Sequence, residues 1–139
     1  MCEFAQEEMP CAEYDAIMPV PLHRVRERDR GFNQSRLLAQ EVLPNFPNAR
    51  LDESLRRIRP TRVQSRLNGQ ARRDNVRGAF AVLGDRLGGC SVLLVDDVVT
   101  TAGTVSECAR VLLDAQVRCV DVFAAALSVT RPNMDDLVV

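Results

Sequence analysis

Two adjacent carboxylates, Asp96 and Asp97, stand at the end of the apolar run Ser91-Val92-Leu93-Leu94-Val95, and Thr100, Thr101, Ala102, Gly103 and Thr104 follow directly after Val98 and Val99. A buried strand that ends in acids presents them where ligands bind in open α/β sheets. Thr104 and Glu107 fit an S/T-x-x-E capping box, which places a helix start in the same stretch. Hydroxyls, free backbone N–H groups and the positive end of a helix dipole make this turn a phosphate cradle. The acid pair repels that phosphate and suits hydroxyl groups or a hydrated divalent cation. One ligand with a phosphate at one end and vicinal hydroxyls, or a metal-bound polyphosphate, at the other satisfies both halves. Taken alone, Asp-Asp reads as the cap of a strand and Thr-Thr as a solvated turn; the specific signal is their succession. No G-x-x-x-x-G-K-[ST] occurs, nor any Lys, which excludes a P-loop nucleotidase, and the G-x-G-x-x-G dinucleotide fingerprint is absent.

Charge supplies a second signal. All 18 basic residues are Arg, and eight of them (56, 57, 59, 62, 66, 72, 73 and 77) face the single acid Asp74 within residues 56–77. That stretch carries a net plus seven and the rest of the chain minus eight, although the whole is close to neutral at minus one. Such a segment points to a polyanion, either nucleic acid or a small polyphosphate, unless it is only a solvated Arg-rich face. The five cysteines, at 2, 11, 90, 108 and 119, contain no C-x-x-C pair, and the one His, His23, completes no zinc set with them. No zinc ligands are expected. Cys90, Cys108 and Cys119 sit in apolar contexts and read as small buried hydrophobes. His23 lies in a charged connection and reads as a surface residue.

The elements that must position these groups follow from periodicity. The 139 residues, 46% hydrophobic and 27% charged, make one domain. No apolar run reaches the roughly 20 residues of a membrane span. The acidic start is unlike a secretory signal, so the cytoplasm is the expected location. Residues 1–14 read as a short lead-in, 15–130 as the domain and 131–139 as a tail. Residues 15–21 predict a buried strand closed by proline, 22–32 a charged connection, and Asn33 the start of a helix ended by Pro44 and Pro47. A weaker strand lies around 51–58, then the Arg-rich stretch, broken by Pro60, Asn68 and Gly69 and expected to be a mobile loop. Short strands at 78–83 and 91–95, a helix through Val105, Cys108, Ala109 and Leu112, and a last strand at 119–127 complete the order. Alternating strands and helices predict a three-layer α/β fold with a mainly parallel sheet flanked by helices.

At this point the chain resembles a known family. The segment 96–104 is similar to the phosphoribosyl pyrophosphate (PRPP) motif of type I phosphoribosyltransferases. More narrowly, Pro19-Val20-Pro21-Leu22-His23, Arg30-Gly31-Phe32-Asn33-Gln34, Gln64 with Arg72-Arg73-Asp74-Asn75-Val76, Gly78-Ala79-Phe80 and Val95-Asp96-Asp97-Val98 together resemble the ComF family, phosphoribosyltransferase-like proteins associated with DNA uptake and competence. The resemblance implies that Asp96 and Asp97 contact the ribose hydroxyls, with Mg²⁺ held through them and water, as the catalytic pair. It implies that Thr100, Thr101, Ala102, Gly103 and Thr104 hold the 5′-phosphate and that a loop over 22–32, with Arg28, Arg30 and Gly31, approaches the pyrophosphate. The Arg-rich stretch, with Arg62, Arg66, Arg72 and Arg73, corresponds to a flexible loop closing over the site. Arginine gives bidentate, non-titrating cover to such a leaving group. The sequence departs from the family pattern in three places: the usual cysteine-rich zinc module is absent, Ala102 stands where Gly is usual, and Ala115-Gln116-Val117 replaces the Gly that ends the last helix.

Two function classes are therefore in play. One is a phosphoribosyltransferase-like protein binding PRPP or a ribose 5-phosphate nucleotide with Mg²⁺, tied to DNA uptake and competence or to nucleotide metabolism. The other is a nucleic-acid-handling accessory protein that uses the Arg segment and keeps a non-catalytic site; the absence of aromatics within 56–77 counts against single-strand stacking. A transferase also needs a second pocket for the acceptor. With only 1–14 and 128–139 outside the core elements to build it, binding without efficient base transfer is the expectation. Acceptor and oligomeric state stay open, a dimer included.

Overall fold

Near-continuous aliphatic runs belong in strands buried on both faces, and alternate residues of those runs then pack against different layers. The computed structural model, which describes residues 13–22, 24–61, 69–99 and 103–127, has this arrangement. Its elements are β1 (Ala16–Pro19), α1 (Arg24–Arg30), α2 (Gln34–Val42), a 3₁₀ turn (Leu43–Asn45), β2 (Arg50–Leu51), β3 (Leu55–Arg57), α3 (Gly69–Val76), β4 (Phe80–Val82), β5 (Ser91–Val99), α4 (Gly103–Asp114) and β6 (Cys119–Leu127). Four strands form a parallel sheet in the order β2-β1-β5-β6, with Ala16 opposite Val92 and Ser91 opposite Cys119. A separate antiparallel pair, β3 and β4, sets Leu55 against Val82 and Arg57 against Phe80.

One core lies between the sheet and α4, where Met18, Val92 and Leu94 meet Val105, Cys108 and Leu112; Leu55 and Phe80 of the small sheet close it. The other lies under α2, where Ile17, Leu93, Val95 and Phe123 meet Leu38, Ala39 and Val42. The helices therefore cover opposite faces, and the three-layer parallel architecture expected from the sequence is the one observed. Tyr14, which the sequence assigns to the lead-in, is 1% exposed, donates to Asp121 Oδ2 at 2.6 Å and packs edge-on against Phe46. The domain therefore reaches at least to Tyr14.

Two stretches read as loops are partly helical. Within 22–32, Arg24–Arg30 forms α1, and Gly31 ends it at φ +77, its N–H bonding to Glu27 O at 2.8 Å. Arginine and glutamate are good helix formers, and glycine alone takes the left-handed terminus without strain. A Cβ built on Gly31 meets nothing within 4 Å, so the dihedral, not crowding, requires the glycine. Within 56–77, Arg56 and Arg57 belong to β3, while Arg72 and Arg73 belong to α3. That helix is held by side-chain pairs one turn apart, Gln70 to Asp74 at 3.1 Å and Arg73 to Gln70 at 2.9 Å, and by the buried anchor Val76. Arg59 donates to Asn75 O and Arg77 O, closing its C-terminal end. Arg62 and Arg66 lie outside the described residues, as do His23, Cys2 and Cys11.

Candidate functional site

Strand β5 outruns its neighbour. Pro19, the last residue of β1, pairs with Val95, and Val20 N–H reaches Val95 O at 2.8 Å, while β5 continues to Val99. Asp96 and Asp97 thus lie one step past the point where β1 turns away, within a strand that runs on to Val99 rather than at its very end, where the sequence set them. From β1 the chain runs through α2 on one face to β2, and from β5 through α4 on the other face to β6. The carboxyl ends of β1 and β5 are accordingly a topological switch point, the place where open parallel sheets form a ligand crevice.

Asp96 is 8% exposed, and its Oδ1 accepts from Ser35 Oγ at 3.0 Å and from Asp97 N–H at 2.9 Å. Burial, reinforced by the neighbouring Asp97 carboxyl, raises its pKa to about 6, while the Ser35 hydroxyl pulls the other way. Asp97 is half-buried, its Oδ1 taking Val98 N–H at 2.9 Å. The described bonds fall on Oδ1 in both residues. An oxygen-only pair of this kind fits Mg²⁺, which takes one or two carboxylates and completes its shell with water and substrate phosphate. Among the described residues no group of three His, Cys, Asp or Glu is placed to enclose a metal.

Ser35 sits in the first turn of α2, where Asn33 is the cap: its Oδ1 accepts Ser35 N–H at 3.0 Å and its Nδ2 donates to Val20 O at 3.2 Å. One asparagine thus starts the helix, ties it to the end of β1 and aims Ser35 at Asp96. Asn33 is legible in the sequence as a helix start. Ser35 is not, because its partner is 61 positions away.

Beyond β5, Thr100, Thr101 and Ala102 lie outside the described residues, while Gly103 and Thr104 open α4. Glu107, expected to close a capping box, instead accepts Gly78 N–H at 3.0 Å and pairs with Arg110 at 2.7 Å. The Arg110 hydrogen bond, opposed by burial, holds the Glu107 carboxyl below its usual value. Through Gly78, at φ +68, α4 is joined to the end of α3. Between these helices runs a groove of about 760 Å³ with Arg73, Arg77 and Arg110 along it and Gly103 at the helix start. Arg28 and Arg30 are exposed on α1. Cys108 is buried, which pushes its thiol far up, but Cys90 and Cys119 are only half-buried, less than their apolar contexts suggest.

A second cavity, about 380 Å³, lies at the end of β1 against the small sheet, between Pro19, Pro21 and Leu22 and Leu55, Ile58 and Leu83. Leu22 and Glu27 of the connection 22–32 and Arg56 and Arg57 of the Arg-rich stretch line it, whereas Arg28 and Arg30 are not among its lining.

No family model matches the chain. It is 35% identical over 114 residues to Competence protein F of Haemophilus influenzae, spanning 81% of this chain and 50% of that protein. To DNA utilization protein YhgH of Escherichia coli K12 it is 42% identical over 100 residues, 71% of this chain and 43% of that one. To Competence protein ComFC of Bacillus subtilis it is 28% identical over 102 residues, 70% and 38% of the two chains. The chain therefore spans half or less of the length of these curated relatives. Among solved structures, phosphoribosylpyrophosphate synthetase from Mycobacterium smegmatis matches with a TM-score of 0.56 at 16% identity, over 98% of this chain and 35% of that one, a likeness of fold. The parallel sheet with its acid pair at the switch point, and the relatives that share this stretch of sequence, agree: over about 100 residues the chain is similar to proteins of competence and DNA utilization, and its fold is the phosphoribosyltransferase-like one of a phosphoribosylpyrophosphate synthetase.

Proposed function

We propose that the protein binds PRPP or a ribose 5-phosphate nucleotide with Mg²⁺ at the carboxyl edge of β1 and β5, in the service of DNA uptake and utilization. The observation that carries this reading is the acid pair within β5 at the switch point, with a helix start only a few residues beyond; at that helix start opens a groove lined by Arg73, Arg77 and Arg110 together with Asp74 and Glu107. Asp96 and Asp97 take the ribose hydroxyls, with Asp96 fixed by Ser35 Oγ. Residues 100–104 take the 5′-phosphate, assisted by the N-terminus of α4. Arg28, Arg30 and Gly31 face the pyrophosphate, with Arg62, Arg66, Arg72 and Arg73 as its cationic cover. Bound Mg²⁺ would neutralise charge on the pyrophosphate. The names of the relatives, competence and DNA utilization, support the biological setting.

Calorimetric titration with Mg²⁺ and PRPP tests the reading. The double substitution Asp96→Asn, Asp97→Asn is expected to weaken binding at least tenfold with the circular dichroism spectrum retained. Parent-like affinity in that variant refutes the assignment.

A further inference from the structure

The four-stranded sheet has two edges, and they differ in kind. At one, β2 is two residues long, and its Arg50 is exposed, with Nε on Asp52 Oδ2 at 3.3 Å. Shortness and a charged side chain are how natural sheets close an edge to further pairing. At the other, β6 runs nine residues, Cys119–Leu127, without Lys, Arg, Pro or Gly, and among the described residues it has a strand on one side only. Its one charged residue, Asp121, takes the Tyr14 hydroxyl at 2.6 Å and so is turned to the core under α2, leaving the edge unguarded. Apolar surface follows the same edge. Val122 is 43% exposed, and Ala125 and Ala126 are exposed beyond it. Helix α4 packs over β5 and β6 and meets α3 through Glu107; Leu113, 51% exposed, lies on the opposite flank of its buried face.

We infer that β6 pairs antiparallel with β6 of a second copy of this chain, joining two four-stranded sheets into one of eight. A strand met by its own two-fold image makes a closed contact, and the guarded β2 edge leaves no end from which pairing can propagate. With the axis at Phe123, the middle of the strand, Val120 stands opposite Ala126, Asp121 opposite Ala125 and Val122 opposite Ala124, so no like charges meet. Nine paired positions supply about nine inter-strand hydrogen bonds, close to the roughly ten of an ordinary interface. The axis runs perpendicular to the sheet, which places both α4 helices on one face with Leu113 of each beside the seam. The crevice at the carboxyl ends of β1 and β5 takes no part in this pairing, which holds whatever that crevice binds.

Sedimentation velocity of the full chain across a range of micromolar concentrations, joined to hydrogen exchange of β6, tests the inference. A reversible dimer is expected, with β6 amides better protected as concentration rises. Val122→Lys and Leu113→Lys, at exposed positions tolerant of change, are each expected to weaken self-association at least tenfold with the circular dichroism spectrum retained. The register has its own test: Ala125→Asp, set opposite Asp121 of the second copy, is expected to weaken association at least tenfold more than Ala125→Lys. A monomer at every concentration, including one whose β6 amides are always protected by another segment, overturns the inference. So does a dimer that ignores both Lys substitutions, an equal effect of Ala125→Asp and Ala125→Lys, or open-ended assembly.

Discussion

Asp96 is the residue at which stability and function pull in opposite directions. Its carboxyl has a pKa of about 6 against an ordinary 3.8, so the folded chain holds a proton there that the unfolded chain releases. Stability is therefore expected to fall as pH rises from about 4 to about 6 and to level off above, by on the order of 2 kcal/mol. Urea midpoints across that range check the sign; Asp96→Asn should flatten the curve and be the more stable chain at pH 7. A stability that rises through the same window contradicts the burial argument. The acid pair was legible in sequence because two carboxylates at the end of an aliphatic run are rare and adjacent. Ser35 and the cavity at the end of β1 were not, since each depends on partners far along the chain.

At the scale of elements, α4 ends without the glycine its geometry asks for. Gln116 takes φ +67, its N–H reaches Leu113 O at 3.0 Å, and Val117 N–H reaches Leu112 O at 3.2 Å, with Leu112 and Val117 both buried. This is a Schellman terminus with a side chain in the left-handed position. Gln116→Gly is expected to stabilise the domain by about 1 kcal/mol, read as a higher melting temperature; a lower one means that the glutamine side chain contributes more than its backbone costs. The sequence located this helix end from the missing glycine, and the strands from their aliphatic runs. It missed α1 and α3: the charged residues 22–32 read as a connection although Gly31 ends a helix there, and Gly69, read with Pro60 and Asn68 as a breaker, begins the other helix. Arginine density, read as repulsion that keeps a segment open, left out the pairing of Gln70 with Asp74 and the capping by Arg59.

For the whole molecule, the parallel order β2-β1-β5-β6 brings together a site whose halves lie far apart in the chain. That arrangement was predictable as a class, and strands were expected around 51–58 and at 78–83, but their pairing as a separate antiparallel sheet was not legible, since three-residue strands carry almost no periodicity. The pairing of Ala16 with Val92 also sets a clock. A ribosome adding 5–20 residues per second needs roughly 4 to 15 s to span the roughly 75 residues between them. For that interval Ile17 and Met18, both fully buried in the end, have no strand from β5 to lie against. The β5–α4–β6 unit, whose strands pair across a short crossover, is expected to form first in refolding, with β1 joining on the millisecond-to-second scale of long-range parallel pairing. Pulse-labelled hydrogen exchange in which β1 is protected before β5 and β6 would reverse that order. An inner strand of the finished sheet, β1, is thus among the first made and the last covered, the stretch that a newly made chain must shield longest from its neighbours.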